Sequence, residues 1–109
     1  MSPPKFDACI AACNACADAC DACATACLRE QDVPRMARCI ALDIDCAAIC
    51  RVAAGAMARD SEFARRISRV CADICKSCGD ECDRHHLDQS RQCAQACRDC
   101  TRECMQVVG

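Results

Sequence analysis

Small and apolar residues recur along this chain at alternating steps of three and four, with polar residues filling the intervals. That period keeps one face of a helix on a single line and belongs to coiled coils and helix bundles. No stretch alternates apolar and polar residues in the manner of a strand. The pattern predicts helices over about residues 4–30, 34–57, 61–86 and 89–107. Asp32 and Pro34 suit the start of the second as N-cap and first-turn proline. Asp60 or Ser61 suits the start of the third, with Glu62 in its first turn, and Asp88 or Ser90 that of the fourth. Breaks this short make successive helices antiparallel. The expected fold is all-α: an antiparallel up-down-up-down four-helix bundle, one domain over residues 1–109.

Composition changes the picture of the core. The chain has 17 cysteines but only two Phe and no Trp or Tyr, and Leu, Ile and Val are sparse. The seam positions are held by cysteine. Cys9, Cys13, Cys16, Cys20, Cys23 and Cys27 fall on the first helix, and Cys39, Cys46 and Cys50 on the second. Cys71, Cys75, Cys78 and Cys82 fall on the third, and Cys93, Cys97, Cys100 and Cys104 on the fourth. On the second helix the vacant seam position is Asp43, four after Cys39 and three before Cys46. Four such rows facing inward make a sulfur-lined tube, roughly 27 Å long on the first helix at about 1.5 Å per residue.

Buried cysteine can be a mere small hydrophobe, but a whole seam of it would leave costly cavities. Disulfides fit poorly. The cysteine count is odd, and i,i+3 and i,i+4 neighbours sit about 5–6 Å apart at Cβ where a disulfide needs about 3.5–4.5 Å. Cys13/Cys16, Cys20/Cys23, Cys75/Cys78 and Cys97/Cys100 are C-x-x-C pairs. Closed zinc sites nevertheless take four ligands, usually from turns, and iron–sulfur spacings differ. A continuous row suits a soft ion of low coordination number that shares thiolates, and Cu(I) is that ion. Two thiolates per ion, each bridging two ions, gives about one Cu(I) per cysteine. A thiol redox enzyme would instead need one privileged low-pKa pair, which equivalent rows do not offer. A structural bundle with metal-free thiols is the other alternative.

The ends of the tube differ. Antiparallel connectivity gathers Phe6, Met57, Phe63, Ile67, Val107 and Val108 at one end, as an apolar plug. The other end gathers Met36, one turn before Cys39, with His85 continuing the seam from Cys82 and His86 beside it. Imidazole, thioether and carboxylate there could pass a soft cation inward. His85, His86 and Asp43 are candidate ligands, and Met36 is either ligand or core filler. A lone carboxylate in an apolar seam is costly, which favours a ligand or ligand-orienting role for Asp43. Ile40, Leu42, Ile44 and Ile49 beside the second row are either an oligomer interface or flanking core.

A net charge of −2 gives no electrostatic case for nucleic acid or membrane. No apolar run approaches a membrane span, and Met1–Lys5 lacks the charged start of a secretory signal. The expected location is the cytoplasm.

The C-x-x-x-C-x-x-C-x-x-x-C runs at 9–20, 71–82 and 93–104, with the sparser run at 39–50, resemble the bacterial copper storage proteins over nearly the whole chain. The resemblance implies a homotetramer of bundles, each holding many Cu(I) ions on cysteine pairs within and between helices. It also implies help from Asp43, His85 and His86 near an open end, and it points to the cytosolic branch of the family. The role it implies is copper storage or detoxification.

Overall fold

The computed structural model describes residues 3–109. Met1 and Ser2, part of the N-terminal stretch read for an export signal, lie outside the described residues. Four helices make the molecule: α1 (Asp7–Leu28), α2 (Ala37–Ala58), α3 (Ala64–Cys82) and α4 (Asp88–Val108). Short 3-10 turns, Pro4–Phe6 and Val33–Met36, lead into α1 and α2. Helix α1 packs on α2 and α4, and α3 packs on the same two. The result is a square bundle 45 Å long and 18 Å across. No helix among the described residues is long and apolar enough to cross a membrane.

Local chemistry sets the breaks. Asp32 accepts a hydrogen bond from the Arg35 backbone N–H at 3.4 Å and so caps the turn before α2. Between α2 and α3, Asp60 adopts φ +52°, a left-handed conformation that Asp tolerates better than most residues. Ser61 fastens that turn, its hydroxyl accepting from the Phe63 N–H at 3.1 Å, and α3 then starts after Phe63 without a side-chain cap. Ser90 is no cap: α4 begins at Asp88 without a side-chain cap, and Ser90 is buried.

Two expectations need correction. Helix α3 stops at Cys82, not near His86. Tight turns in which the N–H groups of Arg84 and His85 bond back to Glu81 and Cys82 unwind the chain there, so His85 and His86 stand in the connection. Phe63 is 49% exposed and takes no part in the plug, because it precedes α3 where the chain is still turning. Phe6, Met57 and Val107 do close that end, with Ala64 and the half-buried Ile67 beside them.

Small residues bring the helices close. Ala17, Ala47, Ala72 and Ala94, each directly after a seam cysteine, are buried. Gly79 on α3 faces α4 so tightly that a Cβ there would lie 3.1 Å from the Cys97 Cβ. Gly79→Leu is therefore expected to force α3 from α4 and cost about 1–3 kcal/mol, read as a lowered urea midpoint of the metal-free protein.

Candidate metal centre

All seventeen cysteines are buried free thiols. Each comes from a seam position, because the 3-4 period returns every row to the bundle axis. Sulfur atoms meet across the α1–α4, α2–α3 and α1–α2 boundaries, and across α3–α4 they lie within 4.8 Å, as Cys78 does of Cys93 and Cys97. Cys9 and Cys104 lie 3.5 Å apart, Cys20 and Cys93 3.5 Å, Cys46 and Cys75 3.5 Å, and Cys16 and Cys46 3.7 Å. Neighbours within a helix are about as close: Cys71 and Cys75 are 3.8 Å apart, Cys46 and Cys50 4.0 Å. An ion with metal–sulfur bonds of roughly 2.3 Å spans at most roughly 4.6 Å between two thiolates. Groups such as Cys13, Cys71, Cys100 and Cys104, or Cys20, Cys78, Cys93 and Cys97, have all their sulfurs within 4.8 Å of one another. The tube therefore accommodates two-coordinate soft ions bridging helices with little movement. Overlapping groups that share Cys20, Cys97, Cys50 or Cys100 give no boundary between one site and the next.

Contacts of 4.0 Å or less divide the sulfurs into a long run and a short group. The short group is Cys23, Cys27, Cys39 and Cys82, linked through Cys39. Asp43 joins the two. Its Oδ1 accepts from Cys78 at 3.2 Å and Cys93 at 3.4 Å in the run, and from Cys82 at 3.6 Å in the group; its Oδ2 accepts from Cys39 at 3.8 Å. Asp43 is fully buried. Burial, reinforced by the charges that Cys93 and Cys78 would carry, pushes its carboxyl up to about 12. Burial likewise pushes the thiol of Cys27, the last of its row, up to about 11.

The open end is a cavity of about 560 Å³, walled by the α1–α2 connection (Arg29 to Met36) and the α3–α4 connection (Arg84 to Leu87). Met36 and His85 lie in its lining, and so does His86, which is exposed. The His85 side chain is only 9% exposed, and its Nε2 sits 3.0 Å from Glu81 Oε2. Against an ionised carboxylate that nitrogen carries the proton, leaving Nδ1 with the free lone pair. Glu81, itself buried, also meets Arg38 at 3.4 Å and Arg84 at 3.9 Å.

The structure thus brings the seventeen cysteines and Asp43 into one axial array and sets Met36, His85 and His86 at its mouth. Sequence reasoning missed Ser68, Ser90 and Glu81. Both serines are fully buried seam residues, three positions before Cys71 and Cys93. Ser90 Oγ accepts from Cys23 at 3.9 Å. Extending the cysteine register by one step would have found both serines. Glu81 was legible only as the residue one turn before His85.

The copper storage protein family model matches residues 2–109. No curated protein sequence matches the chain. Among solved structures, the Cu(I)-bound copper storage protein BsCsp3 is 43% identical, with TM-score 0.92 over 96% of this chain and 99% of its own. Apo-Csp3 from Bacillus subtilis is 42% identical, with TM-score 0.89 over 95% and 99%. A cytosolic copper storage protein from Streptomyces lividans, studied during copper loading with five coppers, is 39% identical, with TM-score 0.92 over 95% and 92%.

Proposed function

The chain belongs to the copper storage protein family, and on that premise we propose that it stores Cu(I) along the whole axis of its bundle, about one ion per cysteine. The observation that carries this reading is the close succession of buried thiols at bridging distance, running from Cys9 and Cys104 at the plug to Cys78 and Cys93 and carried on through Asp43 to Cys27 and Cys39 at the mouth. At one Cu⁺ per cysteine each ion replaces one thiol proton, so filling the tube leaves its charge nearly unchanged. That avoids the charge burial an array of bare thiolates would incur. The role is holding metal, for storage or detoxification, rather than catalysis: no thiol pair stands apart from the rest as a nucleophile would.

All seventeen cysteines serve as ligands in this reading. Asp43 supplies an oxygen at the junction of the two sulfur groups. His85 acts through Nδ1 at the mouth, with Glu81 holding its ring, and His86 and Met36 make passing contacts there. The relative from Streptomyces lividans is described as cytosolic, and the same compartment is proposed here; a reducing cytosol keeps copper as Cu(I) and thiols free. A homotetramer is proposed on the outer face of α2 and α3. Ile40, Leu42 and Ile49 pack against the core, but Ile44 is 58% exposed and Val52, two turns on, 52%. Val70 on α3 is exposed too.

Anaerobic titration of the metal-free protein with Cu(I) against a chromogenic chelator is expected to saturate at about seventeen ions per chain, with helicity unchanged. Saturation at a single four-thiolate site would contradict the proposal.

A further inference from the structure

The mouth of the tube is an unusual doorway for a bare cation. Arg29, Arg35 and Arg84 line its cavity against two carboxylates, Glu30 and Asp32, in a chain that is negative overall. Neither Glu30 nor Asp32 lies within ion-pair distance of a guanidinium group among the described residues. Asp32 is turned to the Arg35 backbone N–H as a cap, and Glu81 is shared among His85, Arg38 and Arg84. No acidic group lies within ion-pair distance of Arg29 or Arg35 among the described residues. Two unpaired guanidinium forks in a half-enclosed space are donors for carboxylates. At about 560 Å³ the space matches a small-molecule site.

Soft Cu(I) in a thiol-rich solution travels as a thiolate complex. Two thiolates on one Cu⁺ make that complex an anion, and carboxylates on the carrier add to the charge. We propose that the mouth is a docking site for a small anionic Cu(I)–thiolate complex, held by Arg29 and Arg35 while its copper is handed to the tube. This rests on the storage reading and names the form in which the cargo arrives. The receiving thiols are those where the rows reach the mouth: Cys27 in the last turn of α1 and Cys39 one turn after Met36, 4.0 Å apart. The transfer is ligand exchange. One Cu–S bond to the carrier breaks as one to a protein sulfur forms, and the proton of the receiving thiol leaves on the released carrier thiol. Copper remains Cu(I) throughout. A second exchange completes the two-coordinate site and frees the carrier.

The test compares two donors by anaerobic stopped flow at low salt: Cu(I) in excess glutathione, which is anionic, and the cationic Cu(I)–acetonitrile complex. Arg29→Ala/Arg35→Ala is expected to slow uptake from the glutathione complex about tenfold or more and leave uptake from the acetonitrile complex undiminished. Arg29→Lys/Arg35→Lys should retain most of the wild-type rate, and the final stoichiometry should be the same in all three proteins. With metal-free protein, S-methylglutathione, which cannot carry copper as a thiolate, should shift the NMR signals of His85 and of the α1–α2 connection in the wild type but not in the double alanine variant. Equal slowing with both donors, or none with the anionic one, overturns the proposal, and so does an NMR spectrum unmoved by the peptide. Failure of the wild type to take copper from the acetonitrile complex would instead strike at the storage reading.

Discussion

Filling the tube with Cu(I) is expected to raise the unfolding midpoint of the protein by about 20 °C or more. The metal-free bundle is held by little conventional packing. Its buried residues are almost all cysteine and alanine, with Phe6, Met36, Met57 and Val107 as the larger apolar side chains among them, and sulfurs stand 3.5–4.0 Å apart where Leu side chains would interdigitate. Each ion that binds only the folded chain adds RT ln(1 + [L]/Kd), about 2.7 kcal/mol at a hundred times its Kd. About 1 kcal/mol moves the midpoint of a domain this size by about 4–8 °C. Two saturated sites already reach the stated shift, and the array offers many more. The copper also ties helices together, since the shortest sulfur pairs, Cys9–Cys104, Cys20–Cys93 and Cys46–Cys75, each span two helices. Calorimetry of metal-free and loaded protein, with a strong Cu(I) chelator to reverse the shift, measures it. A shift of only a few degrees at full loading would mean that the ions sit outside the fold.

The bundle and the ligand array were legible in sequence for the same reason. A step of 3, 4, 3, 4 is both a fold signal and a site signal when the residue that repeats is cysteine, so Cys9 to Cys27 specified a helix, its inward face and a row of ligands together. Asp43 was legible as a break in that rule. Ser68 and Ser90 obey the same register one step beyond the cysteines, but Ser90 also reads as a helix start and a serine is no soft-metal ligand, so it is their burial that marks them as part of the seam. The mouth was legible least. Helix α3 ends at Cys82 because local turns at Arg84 and His85 replace helical bonds, a choice that periodicity does not encode. The arginines of the cavity are spread over two connections distant in sequence, and their convergence follows from the fold.

Asp43→Asn is expected to stabilise the metal-free protein at neutral pH, with a gain that vanishes in acid. The Asp43 carboxyl rises from 3.8 to about 12 on folding, mainly through burial. Between those values the folded chain keeps a proton that the unfolded chain releases, so the folded state binds more protons and stability falls as pH rises. The penalty is absent below about pH 4. It grows by about 1.4 kcal/mol per pH unit, to an upper limit of about 4 kcal/mol at pH 7. Asparagine has no proton to lose. Its carbonyl can still accept from Cys78, Cys93 and Cys82, which now point at Oδ1. The seventeen thiols titrate in both proteins, so the difference between urea midpoints of wild type and variant isolates the carboxyl. That difference should be near zero at pH 4 and widen steadily to pH 7. A constant difference, or a variant less stable at pH 7, would show that the carboxyl is ionised and held by partners. In the loaded protein the sign should turn. Copper beside Cys78, Cys82 and Cys93 favours the ionised carboxylate, so the wild type should gain more from copper than the variant does. A residue that weakens the empty bundle and strengthens the full one is placed for holding metal rather than for folding.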